Sequence, residues 1–305
     1  MRQLLHIGYP KTGTSWFQKN FYPNVTNYVY AQRRKVQDEL MVKGPFDWNA
    51  EECKTYFEGL GNHVVLCEEL LLGRLRPGGM KHFLTKAFAD RLHQVFPNGK
   101  IIIFIRKQPE ALASAYLEYL KAGGNYSIDR FLFPEKIAPG EYNKLVLLGI
   151  EFFNYLPVVD YYCSLFGIER VHLFLYEDFC QSNKMFIKKF SGFFDFDTGS
   201  NTINYSPENA GYTPLLIPLA KFINAFSRYG PLNKYYLLHV PGMHKFGKWA
   251  LARLNQIIGR QKPVQAEQVL GKRNYRYIQE YFRPSNTALM KKYNLYEMEK
   301  FGYHL

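Results

Sequence analysis

Tyr9-Pro-Lys-Thr-Gly-Thr-Ser-Trp16 follows directly on an apolar run and opens a segment with a helical pattern. A strand that turns through glycines into a helix N-terminus directs several backbone N–H groups, and the positive end of the helix dipole, at one small volume. The usual nucleotide loop of this kind reads G-x-x-x-x-G-K-[ST]. Gly8 and Gly13 keep its glycine spacing and Ser15 keeps its hydroxyl, whereas the lysine stands earlier, at Lys11. The stretch therefore predicts a phosphate-binding loop with a displaced lysine.

A second motif, Lys100-Ile-Ile-Ile-Phe-Ile-Arg106, is a short apolar run rich in β-branched residues, and it follows Pro97-Asn98-Gly99. Such a run is typical of a strand that is buried on both faces, as in a parallel sheet. The helix predicted after it has Pro109 in its first turn. Ser114 lies in that helix, eight residues after Arg106. A strand tip and the helix that follows it can therefore reach a single phosphate.

Taken together, the two motifs resemble those of sulfotransferases that use 3′-phosphoadenosine-5′-phosphosulfate (PAPS), and in particular the bacterial members. In that family the loop lysine contacts the bridging and sulfuryl oxygens, loop hydroxyls and amides hold the 5′-phosphate, and the tryptophan stacks on adenine. The resemblance implies these roles, in that order, for Lys11, for Thr12, Gly13, Thr14 and Ser15, and for Trp16. It also implies a 3′-phosphate site at Arg106 and Ser114.

Physical chemistry supports this pairing of motifs. A kinase or ATPase of this architecture holds Mg²⁺ with an acid at a strand end, whereas the second motif ends in Arg106. A nucleotide with a separate 3′-phosphate needs a cationic site at each of two strand tips. A lysine at the bridging oxygen can stabilise the leaving phosphate as a positioned cation. We therefore expect PAPS as the donor substrate and no metal.

Transfer to a hydroxyl also needs a group that accepts the hydroxyl proton. His63-Val-Val-Leu-Cys67 reads as a strand and is followed at once by Glu68 and Glu69. Ligands of open α/β sheets bind at the carboxyl edge, where this pair would emerge. Because side chains alternate along a strand, we predict Glu68 as the catalytic base and Glu69 as the second candidate for that role. The alternative is that both glutamates cap the next helix or form surface pairs.

Further candidates rest on shorter patterns. Tyr176 begins a Tyr-Glu-Asp segment that resembles the family's, whose tyrosine lies near adenine, although a core tyrosine fits as well. Lys272 and Arg273 follow a glycine late in the chain, where some relatives supply cations to the 3′-phosphate. His6 lies within the first strand, and we expect it to pack in the core. Tyr281–Asn286 resembles the tail of bacterial members, and we expect it to pack against the rest of the fold.

The order of the predicted elements favours the α/β class: a three-layer fold with a central parallel sheet flanked by helices, of the P-loop-containing nucleotide-binding type. The predicted strands are Gln3–Gly8, His63–Cys67, Lys100–Arg106 and Arg170–Tyr176. The predicted helices are Met80–Phe96, Pro109–Ala122, Asn143–Phe166, which is broken or kinked near Pro157, and Asn183–Phe194. Gly167 is expected to stop the third helix.

At 305 residues the chain has room for one large domain or two small ones, and we predict one. The four cysteines form no C-x-x-C pair, which disfavours a zinc site and fits a reducing compartment. No apolar run is long enough to span a membrane, and no signal peptide is recognised before the first strand. We therefore expect a bacterial cytoplasmic location.

The net charge of +13 is unevenly placed. No acidic residue occurs between Glu208 and Glu267, while eight lysines and arginines there alternate with aromatic and apolar residues. We predict a mainly helical insert or acceptor lid at about residues 209–266. Such a segment can bind a glycan or an anionic membrane, or it can be an ordinary solvated basic face. Nucleic acid ranks lowest because no recognised binding module is present.

The sequence thus predicts a sulfotransferase that moves a sulfuryl group from PAPS to a hydroxyl of a carbohydrate, glycolipid or other acceptor. One alternative is a P-loop kinase or NTPase that uses ATP and Mg²⁺. Another is a non-enzymatic membrane or glycan adaptor that keeps the loop as scaffold. The sequence leaves the acceptor and the oligomeric state open.

Overall fold

The structure, a computed structural model, describes residues 2–73, 83–133, 149–206, 213–228, 235–258 and 265–305. It is an α/β fold with a central parallel sheet of five strands in the order β2-β3-β1-β4-β5. The strands are β1 (Arg2–His6), β2 (Val29–Tyr30), β3 (His63–Cys67), β4 (Lys100–Ile105) and β5 (Val171–Leu175).

Helices cover both faces of this sheet. Those of the first half are α1 (Thr14–Trp16), α2 (Arg33–Gln37), α3 (Ala50–Glu58), α4 (Thr85–Val95), α5 (Gln108–Lys121) and α6 (Ile128–Leu132). Those of the second half are α7 (Tyr155–Phe166), α8 (Tyr176–Gln181), α9 (Asn183–Phe194), α10 (Ile217–Ala225), α11 (Met243–Ile258), α12 (Ala266–Leu270), α13 (Lys272–Tyr293) and α14 (Glu297–Lys300).

The strands alternate their side chains between two cores, as a period of two requires. On one face, Leu66, Leu5, Ile101 and Val171 form a row across neighbouring strands and pack with helices that include α4, α5, α7 and α13. The opposite face packs against an aromatic cluster drawn mainly from the segments around α1, α8 and α9. The sheet is therefore the middle of three layers, as predicted.

The strand order places a topological switch beside β1. The chain runs from β1 to β2 and β3 on one side and then crosses to β4 on the other. Crevices outside the carboxyl ends of strands at such a point are the usual ligand sites of open α/β sheets. In this chain the ends of β1 and β4 carry the two motifs found in the sequence.

The four predicted strands are confirmed, each within two residues at either end, and the two-residue edge strand β2 was missed. Residues 80–82 and 143–148, where two predicted helices begin, lie outside the described residues. Of the two alternatives predicted near Pro157, a break or a kink, the described residues show a break, at Asn154. The backbone is extended at Asn154, and α7 begins after it with Pro157 in its first turn, where no N–H is needed. Gly167, at φ 86°, ends α7 as predicted.

Within the described residues, no helix combines the length and apolar character needed to cross a membrane. The C-terminal segment packs as predicted, since Phe282 and Asn286 of α13 are buried. The Asn286 side-chain amide exchanges hydrogen bonds with that of Gln108, at the start of α5. This contact fixes α13 against the beginning of the helix that follows β4.

Candidate active site

The loop after β1 turns through two residues in the left-handed region, Lys11 (φ 74°) and Gly13 (φ 86°). Glycine adopts this conformation freely, but for a lysine it costs about 1 kcal/mol. A Cβ at position 13 would lie 3.1 Å from Cε2 of Tyr176, so a glycine also permits the close approach. The amides of Trp16 and Phe17 donate to the Gly13 carbonyl and start the helical segment. The predicted order of strand, turn and helix is therefore present at this loop.

Two loop threonines are buried in different ways. The Thr12 hydroxyl donates to the Tyr9 carbonyl and so holds the turn together. Thr14 is only 3% exposed, and its Oγ1 has no hydrogen-bond partner within the described structure. Because buried hydroxyls are nearly always hydrogen-bonded, this orphan group fits a loop that binds an oxyanion. Ser15, next to it, is half-buried.

Arg106 joins the second motif directly to the loop. Its Nη1 donates to the Lys11 carbonyl at 3.0 Å, and its guanidinium lies over the Tyr176 ring, 4.8 Å from the centroid. Its own carbonyl accepts from the Tyr155 hydroxyl at 2.6 Å, which fixes the end of β4. Residues almost a hundred positions apart in sequence thus meet at one edge of the sheet.

The Lys11 ammonium forms an ion pair with the carboxylate of Glu118 on α5. Glu118 stands four residues after Ser114, so both side chains lie on one face of α5. Both are half-buried on that face, as is Glu110 a turn before. Glu118 was not predicted from the sequence, although its spacing of four residues from Ser114 was a signal that could have identified it.

Tyr176 begins α8 and lies between the loop and Arg106. Burial, with a smaller contribution from neighbouring Cys180, raises the pKa of its phenol to about 12. The next residue, Glu177, accepts a hydrogen bond from the Lys107 amide at 3.0 Å and from the Tyr303 hydroxyl at 2.8 Å. The Tyr-Glu-Asp segment is therefore held against the start of α5.

Trp16 is 3% exposed and belongs to the aromatic cluster. Its Nε1 donates to the Asn204 carbonyl, and its ring centroid lies 5.0 Å from that of Phe179 and 6.1 Å from that of Tyr205. An adenine can stack on this indole only if one of the covering rings moves. Its role in adenine binding stays a prediction.

Glu68 lies just after β3, and its side chain is fully buried. Arg33 donates to both of its oxygens, at 2.8 and 3.0 Å, Gln37 donates to Oε2, and the Leu70 amide donates to Oε1. All four acceptor positions of the carboxylate are therefore used. Glu68 caps the short 3₁₀ helix Glu69–Leu72, which is the alternative that the sequence left open, and this geometry does not favour it as the base.

Glu69 is better placed for proton transfer. Its side chain is 17% exposed and accepts from Arg33 at 2.8 Å and from Gln18 at 2.9 Å. Burial, together with the neighbouring Glu68 carboxylate, raises the pKa of Glu69 above its ordinary value. A raised carboxyl pKa is what a general base at neutral pH requires.

Lys272 and Arg273 begin α13 and are exposed. Arg273 pairs with Asp129 on α6 at 2.9 Å, and Asn274 donates to the same oxygen. The observed partner of Arg273 is therefore a carboxylate of α6. The role of Lys272 and Arg273 as 3′-phosphate ligands stays a prediction.

Within the described residues, the side chains of His, Cys, Asp and Glu form no group of three or more that could hold a metal ion. The four cysteines are free thiols, of which Cys53 and Cys67 are buried. His6 is fully buried and stacks on Phe104, as expected of a core histidine.

These features define a parallel α/β fold with a loop–helix turn and an arginine at one carboxyl edge. No family model matches the chain, and no curated protein matches it. Among solved structures, it is similar to a sulfotransferase from Alicyclobacillus acidocaldarius, at 17% identity and a TM-score of 0.48 over 86% of this chain and 98% of that one. It is also similar to the sulfotransferase domain from the curacin biosynthetic pathway, at 10% identity and a TM-score of 0.37 over 92% and 98%. Both likenesses are too distant to bear on the function of this chain.

Proposed function

We propose that this protein is a sulfotransferase that moves a sulfuryl group from PAPS to an acceptor hydroxyl. The observation that supports this most is the hydrogen bond from Arg106 to the Lys11 carbonyl. It couples the loop after β1 to the cation after β4, which are the two anion sites that a nucleotide with separate 5′ and 3′ charges needs. The orphan hydroxyl of Thr14 supplies a further donor in the same loop.

In the proposed reaction the acceptor oxygen attacks sulfur in line, and an oxygen–sulfur bond forms. The bond between sulfur and the bridging phosphate oxygen breaks, and 3′,5′-adenosine bisphosphate leaves. Lys11 stabilises the charge that develops on this leaving phosphate. Donor binding must therefore draw the Lys11 ammonium away from Glu118, its partner in the structure.

The proton of the acceptor hydroxyl goes to a carboxylate at the same edge of the sheet. We assign this role to Glu69, because its pKa is raised and its side chain is partly exposed. Glu68 instead holds Arg33 and Gln37 in place. Glu69→Gln should lower the transfer rate about 100-fold, the lower end for a lost general base. Glu68→Gln should lower it less than Glu69→Gln does, and the reverse order would return the assignment to Glu68.

Isothermal titration calorimetry tests the proposed donor directly. We expect 3′,5′-adenosine bisphosphate to bind without added metal, and Arg106→Ala to weaken it about 10- to 100-fold, as for lost charge-assisted hydrogen bonds. Arg34→Ala is the matched control, because Arg34 is exposed and lies outside the site. Metal-dependent ATP binding in place of bisphosphate binding would identify a kinase or NTPase instead. Binding of neither nucleotide would favour the non-enzymatic adaptor, in which the loop has only a structural role.

We propose a carbohydrate or glycolipid hydroxyl as the acceptor. Lys11 pairs with Glu118 of α5, and α5 in turn contacts the aromatic, basic segment around α10. A screen of glycans, glycolipids and small phenols with radiolabelled PAPS identifies the acceptor. Label on a phenol alone would exclude the glycan class.

A further inference from the structure

Residues 213–228 and 235–258, the described part of the predicted insert, are here called the basic lobe. It contains α10 and α11, which cross closely enough that a Cβ on Gly247 would overlap the Ile223 side chain. Asn224 of α10 donates to the carbonyls of Leu120 and Gly124, at the end of α5. The lobe is therefore fastened to the helix that carries Ser114 and Glu118.

The exposed face of α11 is both apolar and cationic. Phe246, Trp249, Arg253 and Ile257 follow one another at intervals of three and four residues, which places them on one stripe of the helix. The three apolar members are 64%, 59% and 76% exposed. Lys245 and Lys248 flank this stripe and are exposed as well.

A second exposed apolar element precedes α11. The four consecutive residues Tyr235, Tyr236, Leu237 and Leu238 are between 46% and 78% exposed. The segment is fixed in position because the Leu237 amide donates to the Ala225 carbonyl and the Val240 amide donates to that of Phe226. Its exposure is therefore built into the lobe, and Leu215 and Phe222 add further exposed apolar surface.

The charge of the lobe indicates what covers this surface. Lys221, Arg228, Lys245, Lys248 and Arg253 are its described cations, and the sequence holds no acidic residue from 209 to 266. A two-fold pairing with a second copy would bring these cations against one another, which is unfavourable. A soluble polyanion would satisfy the cations but not the exposed leucine and isoleucine side chains. An anionic lipid surface satisfies both, since it accepts apolar side chains beneath its charged headgroups.

We infer that the basic lobe docks the protein on anionic membranes, with α11 lying in the plane of the interface. Phe246, Trp249 and Ile257 enter the boundary between headgroups and acyl chains, while Lys245, Lys248 and Arg253 meet lipid phosphates. This inference does not depend on the proposed transfer reaction. If both hold, the lobe brings α5, whose Glu118 pairs with Lys11, to a lipid surface, where a lipid-linked acceptor would be found.

Co-sedimentation of the full chain with vesicles tests the inference. We expect binding to vesicles of phosphatidylcholine and phosphatidylglycerol in equal parts, and much weaker binding to phosphatidylcholine alone or at high salt. Lys245→Gln/Lys248→Gln should weaken binding on the order of 10- to 30-fold, as expected for two basic residues at an anionic surface. Lys188→Gln/Lys189→Gln is the matched control, because these two lysines are exposed on α9.

The apolar half of the surface has its own pair of variants. Phe246→Ser/Trp249→Ser should weaken vesicle binding about tenfold or more, because two aromatic side chains no longer enter the interface. Val42→Ser/Phe46→Ser, which alters two exposed apolar residues outside the lobe, should leave binding unchanged. Tryptophan emission should shift to the blue on vesicle binding, and Trp249→Phe should remove the shift while binding remains.

Three results would overturn the inference. One is the absence of binding to anionic vesicles, and another is equal loss of binding in the lobe variants and their controls. The third is a dimer in analytical ultracentrifugation that Phe246→Ser/Trp249→Ser dissociates, since a second copy would then occupy the surface. Binding of heparin without binding of vesicles would assign the lobe to a soluble glycan instead. Bisphosphate binding, measured in the same variants, reports separately on the nucleotide site.

Discussion

At the carboxyl edge of the sheet, charged side chains are buried or half-buried and bonded to one another, whereas in the basic lobe the cations stand in solvent beside exposed apolar side chains. Arg33 holds both Glu68 and Glu69, and Glu118 holds Lys11. In α11, by contrast, Lys245 and Lys248 flank an exposed apolar stripe. Substitutions at the edge should therefore alter chemistry or stability, and substitutions in the lobe should alter association alone.

Lys11→Ala should produce the largest effect. If Lys11 stabilises the leaving phosphate, its loss should lower the transfer rate about 10²- to 10³-fold, which is the usual result of removing one donor to a developing oxyanion. Transfer of label from PAPS to a screened acceptor measures it. Lys35→Ala, on the exposed side of α2, is the control. Equal rates in the two variants would show that Lys11 serves only to pair with Glu118.

Arg33→Ala should cost about 3 kcal/mol of unfolding free energy, because it leaves the carboxylate of Glu68 buried without its cation. Arg34→Ala is the adjacent control and should cost less than about 1 kcal/mol, since its i,i+4 pair with Asp38 is on the surface. Urea unfolding followed by circular dichroism compares them. Similar losses in both variants would mean that water already reaches Glu68.

The free energy of unfolding should also depend on pH through His6, which lies beneath the loop at the same edge. Burial lowers the pKa of His6 to about 3, so it stays neutral in the folded protein, while an unfolded histidine protonates near its ordinary pKa of 6.5. The stability that His6 supports is complete above pH 6.5 and falls as pH drops towards 3, because the unfolded state then binds the extra proton. Between pH 7 and pH 4.5 this amounts to about 2 to 3 kcal/mol.

His6→Gln should remove that part of the pH dependence. Urea unfolding of both proteins at several pH values isolates it, because His172, whose pKa is also lowered by burial, titrates in both. Parallel curves for the wild-type chain and the variant would contradict the assignment.

The fold was predictable because the strands are continuous apolar runs bounded by turn residues. β4, with its isoleucines between Gly99 and Arg106, shows this most clearly. The edge strand β2 could not be found, since two residues carry no periodicity. The start of α7 could not be fixed from the sequence, because a proline is compatible with a first turn as well as with a kink.

Part of the site was predictable for a different reason. A strand end fixes where the following residues emerge, so Lys11 and Arg106 were placed at one edge from the predicted strands, and the resemblance of its segment added Tyr176. The partners of a carboxylate depend on long-range packing instead. Arg33 lies on α2, a helix that was not predicted from the sequence, and it decides which of the two glutamates stays accessible.

The smallest effect on stability is expected in the lobe. Phe246→Ser/Trp249→Ser should change the free energy of unfolding by no more than about 0.5 kcal/mol, because both side chains already face water in the folded chain. Phe190→Ala, in the aromatic cluster, is the contrasting control and should cost about 3 to 5 kcal/mol. Urea unfolding without lipid measures both. A loss above 1 kcal/mol in the lobe variant would mean that another surface of the protein, or a second copy, covers α11 in solution.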